Sequence, residues 1–145
     1  MSVIDTQRLL PSDDASMSSC PLPERLALGD NMILCIDDEL AGLEIRKLLL
    51  QSQGYNVLTA PGGREGLELF MANPVEAVVL DYAMPGMDGG QVAAEMKRLN
   101  PVIKILMLSA YVDLPEAALK WVDQRVVKGE SPTSLLKGLQ QLLSC

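Results

Sequence analysis

From Asn31 onward, short apolar runs alternate with stretches of helical periodicity, and the alternation repeats five times. Met32 to Ile36 is an apolar run of the kind buried on both faces of a sheet. Leu40, Leu43, Leu48 and Leu50 then mark a helix, closed near Gly54 by a C-terminal glycine. Tyr55 to Thr59 predicts a second strand and Glu65 to Met71 a second helix, which Asn73-Pro74 ends. Val75 to Leu80 predicts a third strand, Gly90 to Leu99 a helix stopped by Asn100-Pro101, and Val102 to Leu108 a fourth strand. A shorter helix over Leu114 to Val122, a brief strand over Arg125 to Val127 and a last helix complete the series. Ser131-Pro132 supplies that helix with an N-cap and an N1 proline, and Leu135, Leu136, Leu139 and Leu142 are its expected buried stripe. Strand–helix alternation of this kind dictates an α/β fold, with parallel strands, right-handed crossovers and helices on both sheet faces.

Functional groups in such a sheet collect beyond the carboxyl ends of the strands. The positions there are Asp37, Asp38 and Glu39, then Asp81, Ser109 and Lys128. Carboxylates brought together repel and raise one another's pKa unless a cation shares the site. An all-oxygen set with few protein ligands suits Mg²⁺, which retains water. A lysine across the site can neutralise a phosphoryl group and a hydroxyl can donate to it. Carboxylate attack on phosphorus is a recognised covalent route. Positioning and charge neutralisation supply most of the rate in phosphoryl transfer.

Composition narrows the alternatives. The 145 residues suit one domain with one core. Only 3% are aromatic, so the core is aliphatic. Nineteen acidic against twelve basic residues give a net charge of −7, which disfavours direct nucleic-acid binding. Histidine is absent, which removes His-based acid–base catalysis and most zinc sites. Cys35 reads as a buried small hydrophobe, and Cys20 and Cys145 have no metal-ligand spacing. This cysteine usage predicts a cytoplasmic protein. The lack of an apolar stretch near the roughly 20 residues of a membrane span predicts no such span, and an acidic N-terminus without a continuous apolar region predicts no signal peptide. Residues 1–29, rich in Ser, Pro and Asp, are expected to form a flexible leader before a domain at 30–145.

The motifs Ile36-Asp37-Asp38-Glu39, Leu80-Asp81-Tyr82-Ala83-Met84-Pro85-Gly86-Met87-Asp88-Gly89, Leu108-Ser109-Ala110 and Val127-Lys128 together resemble a two-component response-regulator receiver domain over residues 32 to 143. The resemblance implies a flavodoxin-like, doubly wound five-stranded sheet of order 2-1-3-4-5. It implies Asp81 as phospho-acceptor and metal ligand, and Asp38 as a direct Mg²⁺ ligand, with Asp37 acting largely through water. The backbone carbonyl of Ala83 would complete the protein's share of the coordination. Ser109 and Lys128 would meet the phosphoryl oxygens. The implied donor is a sensor histidine kinase or histidine phosphotransfer protein. The chain would then be a signalling phospho-acceptor, acting as a separate receiver, that catalyses only its own phosphorylation and dephosphorylation.

Plainer readings stand beside these. Asp88 has the place of a helix cap, Glu39 that of a solvent-facing residue in a first helical turn, and Gly62-Gly63 that of a flexible helix start. A dehalogenase-type phosphatase would need a second Asp where Ala83 stands. Three features depart from the family pattern. Gly129 follows Lys128 in place of a proline, Arg125 occupies an aromatic position, and the segment from Ser109 to Lys128 is short enough to truncate the fourth helix. These favour an altered output, and the alternative they support is a phosphorylation-independent interaction module. Tyr111 is placed to cover the acceptor and slow attack by water.

Overall fold

The computed structural model describes residues 31–110 and 113–144. The element order is β1 (Met32–Ile36), α1 (Leu40–Ser52), β2 (Asn56–Ala60), α2 (Gly63–Ala72), β3 (Ala77–Asp81), α3 (Gly89–Leu99), β4 (Lys104–Ser109), α4 (Glu116–Leu119), β5 (Gln124–Val127) and α5 (Pro132–Leu143). The strands form one parallel sheet in the order β2-β1-β3-β4-β5, as the resemblance implied. No helix among the described residues is long and apolar enough to cross a membrane.

Side-chain alternation along the strands builds two cores. Leu34, Ile36, Val78, Leu80, Ile105 and Met107 pack on one face with Phe70 of α2 and Val92, Ala93 and Met96 of α3. Ile33, Cys35, Ala77, Val79, Leu106 and Leu108 pack on the other with Leu43 and Leu50 of α1 and Leu135, Leu139 and Leu142 of α5. Strands covered on both faces read as unbroken apolar runs, and that is why β1, β3 and β4 were legible. Cys35 is indeed buried, which pushes its thiol up to about 12. Cys20 and Cys145, with the leader at 1–29, lie outside the described residues.

Some expectations shift. Leu40 and Leu48 lie on α1 but stand exposed, as does Ile45, so only Leu43 and Leu50 of the four marker leucines are buried. Leu136 is half-buried. Ser131 holds the N-cap position of α5 without a side-chain capping bond. The fourth helix is shorter than Leu114 to Val122, a single turn of four residues. Glu39 sits at the N-cap of α1 rather than inside its first turn. Asp88 caps α3, accepting from the Gln91 N–H, while the Gln91 side chain accepts from the Asp88 N–H.

Two glycines are required by packing rather than flexibility. A Cβ on Gly63 would lie 2.7 Å from Val92 Cγ2, so Gly63 lets α2 approach α3. A Cβ on Gly89 would lie 2.7 Å from both the Asp81 carbonyl oxygen and Tyr82 Cα. The first residue of α3 thus presses on the backbone that carries Asp81. Gly89→Ala is expected to cost about 2 kcal/mol, since the obstacle is backbone that cannot turn aside. Urea denaturation monitored by circular dichroism measures it, and a loss within experimental error would contradict the close approach.

Candidate functional site

The sheet changes winding direction between β1 and β3, because β1 is followed by β2 on one side while β3 lies on the other. Such a switch point opens a crevice beyond the strand carboxyl ends. Asp37 directly follows β1, and Asp81 is the last residue of β3. The Asp37 N–H donates to the Ala60 carbonyl at 3.2 Å, which carries β1–β2 pairing one residue past the strand. At the far side the Lys128 N–H donates to the Ser109 carbonyl at 2.7 Å, fixing the residue after β5 against the end of β4. The backbone of the sheet thereby delivers all four positions to one rim.

The side chains meet there. Lys128 Nζ lies 3.1 Å from Asp37 Oδ2 and 3.2 Å from Asp81 Oδ1. Glu39 Oε1 is more distant from the same ammonium, at 3.9 Å. Asp37, Asp81 and Ser109 are buried, whereas Asp38 is exposed. Asp37, Asp38 and Asp81 each offer a carboxylate oxygen, and these atoms lie within 4.8 Å of one another. The donor set is all oxygen with a high negative charge, which fits a hard dication such as Mg²⁺. Ala83 follows Asp81 by two residues and is exposed in the β3–α3 loop.

The two buried carboxylates are driven in opposite directions. Burial alone would raise the Asp37 pKa. The Glu39 N–H, at 2.9 Å from Oδ1, acts with Lys128 and Arg46 to bring it below the usual carboxylate range. Asp81 has fewer compensating partners. Burial and the charge on Asp37 push its carboxyl up to about 6 against the pull of Lys128. Burial likewise works against the Lys128 ammonium, but Asp37 and Asp81 outweigh it and hold its pKa above the ordinary lysine value.

Arg46 was not anticipated from strand-end positions. Its Nη1 donates to Asp37 Oδ2 at 3.2 Å, and its side chain is only 11% exposed. A signal for it was present. Leu43, Arg46 and Leu50 share one helical stripe, and the two leucines are buried core residues. A guanidinium on that stripe demands a buried partner. Arg125 is exposed on the edge strand β5, while Tyr111 lies outside the described residues. Gly129 adopts φ +93°, a left-handed conformation natural to glycine.

Residues 33–139 match the model of the response regulator receiver domain family. The chain belongs to that family. It is 36% identical over 85 residues to the transcriptional regulatory protein GlrR of Escherichia coli K12, covering 59% of this chain and 19% of GlrR. The receiver thus spans about a fifth of the length of such relatives. Among solved structures it is similar to the response regulator TrrA of Thermotoga maritima in complex with Mg²⁺ and BeF, at TM-score 0.72 and 34% identity, covering 77% of this chain and 98% of that one. The same TrrA in complex with the histidine kinase ThkA aligns with TM-score 0.72 and 34% identity, over 78% of this chain and 98% of that one.

The raised Asp81 pKa has a signed consequence for the receiver without metal. In the unfolded chain this carboxyl titrates near the usual value of about 3.9. Between there and about 6 the folded state binds the proton more tightly, so rising pH removes stability, and the loss is complete above about 6. Wild type is therefore expected to lose on the order of 2 kcal/mol relative to Asp81→Asn between about pH 4 and pH 7 in EDTA. Urea titrations across that range measure the gap. Parallel curves for the two proteins would refute the assigned environment.

Proposed function

We propose that this receiver takes a phosphoryl group from a phosphohistidine onto Asp81, in a Mg²⁺-dependent step of a two-component phosphorelay. The observation that carries the reading is the Asp81 carboxylate, buried at the end of β3 with Lys128 Nζ at 3.2 Å and Asp37 and Asp38 alongside. An Asp81 oxygen attacks phosphorus, the P–N bond to the donor imidazole breaks, and the imidazole departs with that electron pair and takes up a proton. Lys128 neutralises negative charge on the transferring group, and the Ser109 hydroxyl donates to one of its oxygens. Asp38, Asp81 and the Ala83 carbonyl would hold the metal, with Asp37 acting largely through water. Magnesium, when bound, supplies charge neutralisation among the carboxylates and the phosphoryl oxygens.

The partner expected is a sensor histidine kinase or histidine phosphotransfer protein. The TrrA–ThkA likeness supports this, as does the apolar surface that Ile45 and Leu48 expose on α1, the helix that starts at the acidic pair. The reading keeps residues 30–145 as a separate receiver behind a leader at 1–29, and the family match over residues 33–139 supports the receiver's own bounds. The net charge of −7 over the whole chain disfavours direct contact with nucleic acid. Gly129 and the exposed Arg125 favour a second reading, in which the receiver scaffold binds its partner without being phosphorylated.

Acetyl phosphate separates the two. The full chain with Mg²⁺ and acetyl phosphate is expected to gain the mass of one phosphoryl group, and to gain nothing in EDTA or as Asp81→Asn. Lys128→Ala is expected to slow the gain about a hundredfold. A wild-type chain that binds Mg²⁺ yet takes up no phosphoryl group would establish the second reading instead.

A further inference from the structure

We infer that Arg46 is a standing counter-cation for Asp37, a positioning residue that neutralises this carboxylate with or without a divalent ion and so sets how tightly the acidic cluster takes Mg²⁺. The inference rests on the reading of Asp37, Asp38 and Asp81 as the metal-facing group. Its own basis is the division of labour between two cations. Lys128 is shared, at 3.1 Å from Asp37 Oδ2 and 3.2 Å from Asp81 Oδ1. Arg46 makes its ion pair with Asp37, on the same Oδ2, at 3.2 Å. With the Glu39 N–H on Oδ1, both oxygens of a fully buried carboxylate are engaged.

The local structure is arranged for that reach. Long side chains on a helix lean toward its N-terminus, and this carries the guanidinium from the second turn of α1 back to the end of β1. Gly42, one turn earlier, leaves the lane open. A Cβ there would already touch Arg46 Nη2 at 3.6 Å and Glu39 Oε1 at 3.4 Å, so a longer side chain directed into the lane would displace the guanidinium.

Two consequences follow from electrostatics. A fixed positive charge beside the cluster weakens its attraction for a dication. It also keeps Asp37 paired when Lys128 turns toward a phosphoryl group, so that no buried charge is left uncompensated.

Calorimetric titration of the full chain with Mg²⁺ tests the first consequence. Arg46→Gln is expected to bind Mg²⁺ about three- to tenfold more tightly than wild type, and Arg46→Lys to stay within about twofold. In urea, Arg46→Gln should lose stability in EDTA and recover most of it in saturating Mg²⁺. Unchanged or weaker Mg²⁺ binding, or an equal loss of stability with and without the ion, would overturn the inference, because a packing role predicts those results. If Arg46→Gln does not fold, Asp37→Asn/Arg46→Gln decides, since removing both charges should restore folding. A double variant that also fails to fold makes Arg46 a packing residue. A wild-type chain that binds no Mg²⁺, or binds it no better than Asp38→Asn, overturns the metal-site reading itself and the inference with it.

Discussion

The enclosed charge of Asp37 is the constraint on which the rim of this sheet depends. A carboxylate with no exposure is tolerable only when its oxygens are filled, and here three separate parts of the chain fill them. The Glu39 N–H fixes how the chain turns from β1 into α1. Arg46 ties the second turn of α1 to the same point, and Lys128 ties down the corner between β5 and α5. Each tie crosses between elements that the apolar cores have already brought together. The cores therefore determine which elements are neighbours, and Asp37 determines their alignment at the strand ends.

Asp81 inherits its chemistry from this arrangement. It shares Lys128 with a carboxylate better supplied with donors, so it remains the underneutralised member of the pair. Its raised proton affinity and its position beside Asp38 express the same deficit of positive charge. Positive charge brought to the site relieves it, whereas an acyl phosphate on Asp81, with its second negative charge, would deepen the demand on Lys128. Because Lys128 already bridges both aspartates, a charge change at Asp81 is felt at the β5–α5 corner without any intermediate step.

The strands and the site were legible for physical reasons that differ. Doubly covered strands leave unbroken apolar runs, and a polar or charged residue at the end of such a run lies on the rim, which locates Asp37, Asp81, Ser109 and Lys128. Helix faces were less legible. Leu40 and Leu48 satisfy helical spacing yet face solvent, since a run as rich in leucine as the one in α1 does not say which leucines are covered. Gly63 looked like a flexible helix start, but close packing against Val92 explains it, and no local pattern reveals a contact with a distant helix. Arg46 lies inside α1, seven residues beyond the acidic turn after β1, so its pairing with Asp37 depends on a tertiary contact that the strand-end pattern does not encode. The interrupted stripe from Leu43 to Leu50 was the available clue.

The far side of the site shows how this receiver departs from its family pattern. Gly129 turns the corner after Lys128 at φ +93°, a conformation that proline's fixed negative φ forbids, so the glycine is what this backbone path requires. Arg125, in the position where the family pattern has an aromatic residue, is exposed on the edge strand. Meanwhile α4, one turn long, is seated against α3, where a Cβ on Gly90 would come within 3.0 Å of Ala118 Cβ. Just beyond α4, Asp123 accepts from the Ile105 N–H at 2.9 Å and from Lys97 Nζ at 2.9 Å. Residues 116–123 are thus fastened to α3 and to β4. With an arginine in the aromatic position and the short helix pinned in this way, the direct tie from Asp81 to the surface among the described residues is Lys128, at the corner that Gly129 turns.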